Sequence, residues 1–371
     1  MNRRKFLQKA TLTALSSYLL TACGTGSTPT PTPQTAAKAS TPTRPPMATA
    51  TPIVATSPSP AVAPSPTSAP AEAIRFAYLR LGWAGCEAID ELGLLEERGW
   101  KIDWSRIDQI SALANAFAAG QAEIIDMSAI IAAQMHEKGV QFKIFSAAVG
   151  TLGAILVRAD VTDITAVPDL RGRKVAGVPG GTTTQDINAM VRKLYNFDLF
   201  TDTQFVQAST PPDVANLIIN KNVDAVLIWE PTTSQLTEAG VAKILVTQQD
   251  LWRQVTGSTN PQVHVVYLAK PDTLENYPNL AKDIITAQKI VADLWKTQDS
   301  KVIQAFATVT QLPPDIIKVA LSRTIPLAGL DNTIQETLLA QWRFNRESGV
   351  LLQSDTWLDP EKARVLFWTT S

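Results

Sequence analysis

Cysteine and histidine are nearly absent from this chain, with two of each in 371 residues. Two cysteines cannot knit a disulfide scaffold or a cysteine-rich zinc site, and His136 and His264 alone leave little to hold a transition metal. No metal and no cofactor is therefore expected. An excess of one charge is also missing: 33 Lys+Arg stand against 34 Asp+Glu, a net charge of −1. Nucleic acid is excluded as a main partner, because backbone binding needs a basic surface. The marked apolar run near the start, Ala10–Leu20, falls well short of the ~20 residues that span a bilayer. No fixed-period repeat is present, nor the lysine and spacing of a phosphate-binding P-loop. No acid/base pair is clustered, so the chain does not read as an enzyme.

What is present begins with an export signal. Residues 1–22 combine a basic start, MNRRKFLQK, with the short apolar run, as a signal peptide does. Leu20-Thr21-Ala22-Cys23 then resembles a bacterial lipobox, in which small residues admit the peptidase and the Cys23 thiol takes the lipid. The bland alternative is a buried cysteine closing a short helix. Arg3-Arg4 reads either as a twin-arginine export motif or as an ordinary basic region. Residues 24–72 hold 12 of the 24 prolines among Thr, Ser and Ala, with no aromatic residue. Such a segment has too little apolar area to offset its ordering entropy. Residues 23–72 are thus expected to form a lipidated, disordered tether, about 35–42 Å long as a coil and up to about 150 Å as polyproline II.

From Ile74 onward the pattern is that of a folded domain. Strand runs at 74–79, 101–107, 122–127 and 142–149 alternate with helical patterns at 87–98, 112–119 and 129–138. The rhythm restarts with strands at 174–178, 203–207, 224–228 and 242–246 and helices at 184–194, 212–219 and 232–238. After one more strand, 263–268, the remainder is nearly all helical. This βαβα order predicts an α/β fold with parallel sheets covered by helices, in two lobes with a cleft beyond the strand ends.

The loops after those strands are the candidate site. Trp83 lies between Gly82 and Gly85 and is either covered by packing or stacked on a ligand. Cys86 beside it reads as a small buried hydrophobe. Ser128 precedes a helix, where it caps the backbone and also faces the cleft. In Pro179-Gly180-Gly181-Thr182-Thr183-Thr184-Gln185, free backbone N–H groups and hydroxyls converge at a helix start, which favours an anion or a carbonyl oxygen if it is more than plain capping. Trp229-Glu230-Pro231 places a carboxylate at a strand end, either as an acceptor for ligand NH or OH groups or as half of a salt bridge across the hinge.

Together these stretches resemble a family. Gly120–Asp126, Asp169–Ala176, Gly180–Thr184 and Val223–Pro231, in that order, are similar to the solute-binding lipoproteins of ABC importers in the nitrate/sulfonate/taurine-binding group, which also includes binders of thiamine-precursor pyrimidines and riboflavin. The resemblance implies a type II periplasmic-binding fold. Lobe one would comprise residues 73–160 plus 263–371 and lobe two residues 161–262, with hinges near 155–165 and 260–265. It also implies a monomer on the outer side of the cell membrane, closing on a small molecule and delivering it to permease subunits. Ligand-binding residues would be Trp83, Ser128, Gly181, Thr182, Thr183, Thr184, Trp229 and Glu230, with Cys23 lipidated. Because Trp83, Trp229, Glu230 and Tyr78 outnumber cationic groups (Arg80 alone lies near the first loop), a planar heterocycle, riboflavin or a pyrimidine, is favoured over a sulfonate, nitrate or similar anion. A ligand-sensing lipoprotein is the other reading left open. Some proteins of this fold are pyrimidine-synthesising enzymes with an iron site, but neither histidine here falls in the expected cleft loops.

Overall fold

The computed structural model describes residues 72–349 and 352–368. The expected signal peptide, Cys23 and the tether lie outside the described residues.

The first half runs β1 (Ile74–Leu79), α1 (Cys86–Glu91), β2 (Ile102–Ile107), α2 (Ile110–Ala118), β3 (Ile124–Ser128), α3 (Ala129–Glu137) and β4 (Lys143–Gly150). The helix ends follow local chemistry: Gly120 and Gly139, after α2 and α3, have φ of 74° and 82°, a left-handed conformation that glycine adopts at little cost. The second half contains β5 (Gly153–Arg158), β6 (Lys174–Gly177), α4 (Thr182–Tyr195), β7 (Gln204–Gln207), α5 (Pro211–Ile219), β8 (Ala225–Trp229), α6 (Thr232–Glu238), β9 (Ala242–Thr247) and α7 (Gln248–Thr256). The chain then returns through β10 (Val263–Ala269), α8 (Pro271–Asn276), α9 (Pro278–Lys296), α10 (Ser300–Thr310), α11 (Pro314–Ser322), β11 (Pro326–Gly329), α12 (Asn332–Glu347) and α13 (Pro360–Arg364).

Two sheets result, ordered β11-β4-β10-β3-β1-β2 and β7-β6-β8-β5-β9. They are mixed, not parallel as expected. β10 runs antiparallel between β3 and β4, and β5 runs antiparallel between β8 and β9. The apolar run Ala154–Val157 was not recognised as a strand because it follows β4 with no helix between them. Buried in the middle of the second sheet, it moves the first crossing between sheets to Thr151–Leu152, ahead of the expected 155–165. Residues 153–158 accordingly lie in the second sheet. The return crossing lies between Thr256 and Val263.

The largest apolar cluster is continuous across both sheets, linking Tyr267 and Trp83 to Leu152, Ala154 and Trp229. Gly153 allows close packing within the second half. A Cβ there would lie 2.4 Å from Gln248 Oε1 and 2.5 Å from Thr183 Cγ2, so the start of β5 can press against α4 and α7 only without a side chain.

Candidate ligand cleft

A cleft with about 450 Å³ of free space, counting its open mouth, lies where the two sheets face each other. Its enclosed part is only about 40 Å³, far below the roughly 300–1,000 Å³ of ligand pockets. The first lobe supplies an apolar wall from Leu79, Ile110, Leu113, Met127 and Val265, with Asp126, Ser128 and His264 as its polar groups. The second lobe supplies Gly181, Thr182, Thr183 and Trp229. The cleft thus forms at the carboxyl ends of β1, β3 and β8, as open α/β sheets place their ligand sites.

The polar centre is a meeting of two helix starts. Ser128 is the extended residue before α3 and Gly181 the extended residue before α4, and neither helix has a side-chain cap. The Ser128 and Thr182 hydroxyls approach to 2.5 Å across the cleft. Thr183 Oγ1 is buried with no hydrogen-bond partner, on a residue that lines the same space. Helix N-termini carry a partial positive charge and unpaired N–H groups, so two of them with three hydroxyls make a donor-rich centre. No lysine or arginine lines the cleft.

The acidic neighbour is quiet. Asp126 Oδ1 accepts the Leu79 N–H at 2.9 Å, and burial holds its carboxyl well above the usual range, favouring the neutral acid. A Cβ on Gly82 would sit 2.7 Å from Asp126 Oδ2, so that glycine lets the first loop close over the acid.

Of the expected site residues, Ser128, Gly181, Thr182, Thr183 and Trp229 line the cleft, the last with its Nε1 donating to Leu81 O at 3.1 Å. Three others lie elsewhere. Trp83 is fully buried: its ring is 4.4 Å from Phe306 and 5.5 Å from Trp295, and its Nε1 donates to Thr324 Oγ1 at 3.0 Å. It is a core residue under α9 and α10, with no face left for a ligand. Thr184 is also buried, with its hydroxyl against Gly177 behind the cleft. Glu230 follows the salt-bridge alternative. It accepts the Ser234 N–H at 3.0 Å and lies 3.8 Å from Arg323, which also donates to Ser234 Oγ and Thr237 Oγ1. Burial raises the Glu230 carboxyl to about 7 despite these partners. Arg80 pairs with Asp108 away from the cleft, and Tyr78 donates to Asp90. Cys86 is a buried free thiol, as expected.

His264 was missed. It sits in an otherwise apolar strand, Val263–Ala269, which reads as core and gave no sign of a cleft position. Its ring lines the cleft at 6% exposure, and Nδ1 has no hydrogen-bond partner.

Comparison with known proteins fits this architecture. A family described as the periplasmic substrate-binding protein of phosphonate ABC transporters matches residues 94–308. The taurine-binding periplasmic protein of Escherichia coli is 22% identical over 269 residues, spanning 68% of this chain and 80% of its own. The periplasmic aliphatic sulphonate-binding protein of Escherichia coli superposes with a TM-score of 0.65 at 22% identity, over 83% of this chain and 94% of that one. The alkanesulfonate-binding protein of Xanthomonas axonopodis pv. citri, solved bound to MOPS, gives a TM-score of 0.64 at 20% identity, over 77% and 96% of the two chains.

Proposed function

The chain belongs to the periplasmic substrate-binding proteins of ABC transporters, in the nitrate/sulfonate/taurine group, and from that premise we propose that its cleft captures a small organic sulfonate. The family is one of transport components that bind solute outside the cytoplasm, and it is non-enzymatic in general. Among the described residues no helix is long and apolar enough to cross a membrane.

The observation that carries the ligand reading is the pairing of the α3 and α4 starts. Uncapped N–H groups and the Ser128, Thr182 and Thr183 hydroxyls converge from both lobes. A sulfonate presents three acceptor oxygens and no donor, so it matches such a centre. The apolar wall of Leu79, Ile110, Leu113 and Met127 suits a short alkyl chain. Burial weakens the objection that Asp126 would repel an anion, because it favours the neutral acid. The heterocycle expected from the sequence has lost its main support. Trp83 is in the core and Glu230 is paired with Arg323, so no tryptophan sandwich or free carboxylate edge is available. The taurine- and sulfonate-binding relatives' names point the same way, while the family's description names phosphonate, another oxyanion.

The remaining parts of the reading are proposals on the same footing. Cys23 carries a lipid that holds the protein at the outer face of the cell membrane, the domain acts as a monomer, and a permease receives the closed form.

The test is calorimetric titration of the purified protein with ethanesulfonate, 2-aminoethanesulfonate, methylphosphonate, nitrate and riboflavin. Binding of a sulfonate at micromolar concentration or better, with riboflavin silent, is expected. A protein that binds riboflavin and ignores every oxyanion sinks the proposal. For the anchor, a Cys23→Ala protein should leave the membrane fraction; mature, membrane-bound protein would contradict it.

A further inference from the structure

Resting on the sulfonate reading, we infer that His264 is a charge-supplying residue of the cleft: it is neutral in the free protein and takes up a proton when the anion binds.

A site for an anion ordinarily offers at least one cationic side chain, and this one has no lysine or arginine. His264 is the cleft residue able to become a cation. Its place in the fold sets that up. β10 lies between β3 and β4, and the β10–β4 register shifts between Val263 and Val265, so His264 stands at an irregularity in the ladder beside the Ser128–Val265 pairing. His264 lines the same cleft as Ser128, with Nδ1 buried and unpartnered. A buried polar atom without a partner costs stability, which marks it as a position kept for something other than packing.

The charged and titratable groups around it are few. On β3 there is Asp126, whose carboxyl burial favours in the acid form. β4 carries Lys143, which donates to Val365 O at the far end of the strand. α3 carries His136 and Glu137; Glu137 accepts from Gln353, Ser354 and Trp357. α12 carries Glu336, Arg343, Arg346 and Glu347; Arg346 pairs with Asp355, Glu336 pairs with Arg364, and Arg343 donates to Leu358 O. In the return crossing Gln262 donates to Asp186, a buried carboxylate that also accepts from Gln248 and Asn345. None of these forms an ion pair with His264. With burial alone acting, its imidazole is pushed down to about 4 and is neutral at pH 7. An anion in contact supplies the opposite charge the ring lacks and raises its pKa, so binding and protonation reinforce each other.

The expected signature is linkage. A sulfonate does not itself titrate near neutrality, so a change of affinity with pH reports on the protein. Affinity for ethanesulfonate should rise as pH falls from 7 to 5, by up to tenfold per pH unit, with uptake of up to one proton. Titration in buffers of low and high ionisation enthalpy counts that proton. In His264→Gln, which keeps a polar side chain, the pH slope and the proton uptake should disappear, and the loss of affinity relative to wild type should grow as pH falls from 7 to 5. Asp126→Asn is the control for the other cleft acid. A slope that survives in His264→Gln and vanishes in Asp126→Asn assigns the proton to Asp126 and overturns the inference. Tight binding by the wild type with no proton taken up at pH 5.5 also overturns it, leaving the sulfonate reading intact. Failure of the wild type to bind any sulfonate overturns both.

Discussion

Two loops in this protein look alike in sequence and differ in function. Leu81–Cys86 and Pro179–Gln185 each carry two glycines, follow a strand and open a helix. In the first, the amide N–H groups of Trp83, Ala84 and Gly85 are taken by the carboxylate of Glu87, at 2.8, 3.2 and 2.8 Å. The loop contains its own acceptor, and burial raises that carboxyl to about 7. In the second, no side chain caps α4, and the donors at its start face the cleft. A helix start that is satisfied internally builds the core; one left open has room for a ligand. The carboxylate at position 87 makes the difference.

The largest effect that sharpens this contrast is on the first loop. Trp83→Ala should destabilise the fold by about 3–5 kcal/mol, the usual cost of emptying an aromatic site in a packed core, and leave sulfonate affinity unchanged. Denaturant midpoints read the first part and titration the second; an affinity loss without a stability loss would place Trp83 at a ligand after all.

Next in size is the pH dependence of stability. Glu87, Asp186 and Glu230 are each raised to about 7 in the folded protein. A raised carboxyl pKa means the folded state holds a proton that the unfolded state has released. Their contribution is therefore complete below about pH 4 and is lost as pH rises to about 7. His264, lowered to about 4, works in the opposite direction and weakens the fold as pH falls below 6.5. Asp126 is also raised, well above the usual range, and His136 is also lowered, so four carboxyls stand against two imidazoles and the unfolding midpoint should drop between pH 5 and pH 8. In Glu87→Gln the protein should be less stable by roughly 1–3 kcal/mol, since three buried N–H donors share one acceptor fewer, and part of the slope should vanish. An unchanged slope would mean Glu87 is ionised throughout.

A smaller effect separates stability from binding in the second loop. The Thr183 hydroxyl is buried without a partner, so Thr183→Val should leave the melting temperature unchanged or slightly raised while weakening sulfonate binding several-fold. A melting temperature lowered by many degrees would show that the hydroxyl serves the fold.

Much of this was legible beforehand. Ile74–Leu79 has the bounds expected, the βα rhythm holds, and Ser128, Gly181, Thr182 and Thr183 reach the cleft, as expected of loops at the carboxyl ends of strands. What failed depended on distant partners. The expected helix over 87–98 breaks at Gly93, with φ of 63°, although its leucines keep a helical spacing. Trp83 is fixed by Thr324, Trp295 and Phe306, more than 200 residues away. Glu230 is fixed by Arg323. His264 is hidden by its own strand, whose otherwise apolar run looks the same whether one face meets a core or a cleft.

On the proposed reading the open helix start, not the self-satisfied one, holds the ligand. Titration of ethanesulfonate into Thr182→Val and Glu87→Gln, at a temperature where both are folded, tests it most directly. Thr182→Val removes the hydroxyl that meets Ser128 across the cleft, and a lost hydrogen bond to a charged group costs about 1.5–3 kcal/mol, tenfold or more in affinity. Glu87→Gln should bind as the wild type does. The reverse pattern, with Thr182→Val unaffected and Glu87→Gln weakened, would contradict the assignment of the site.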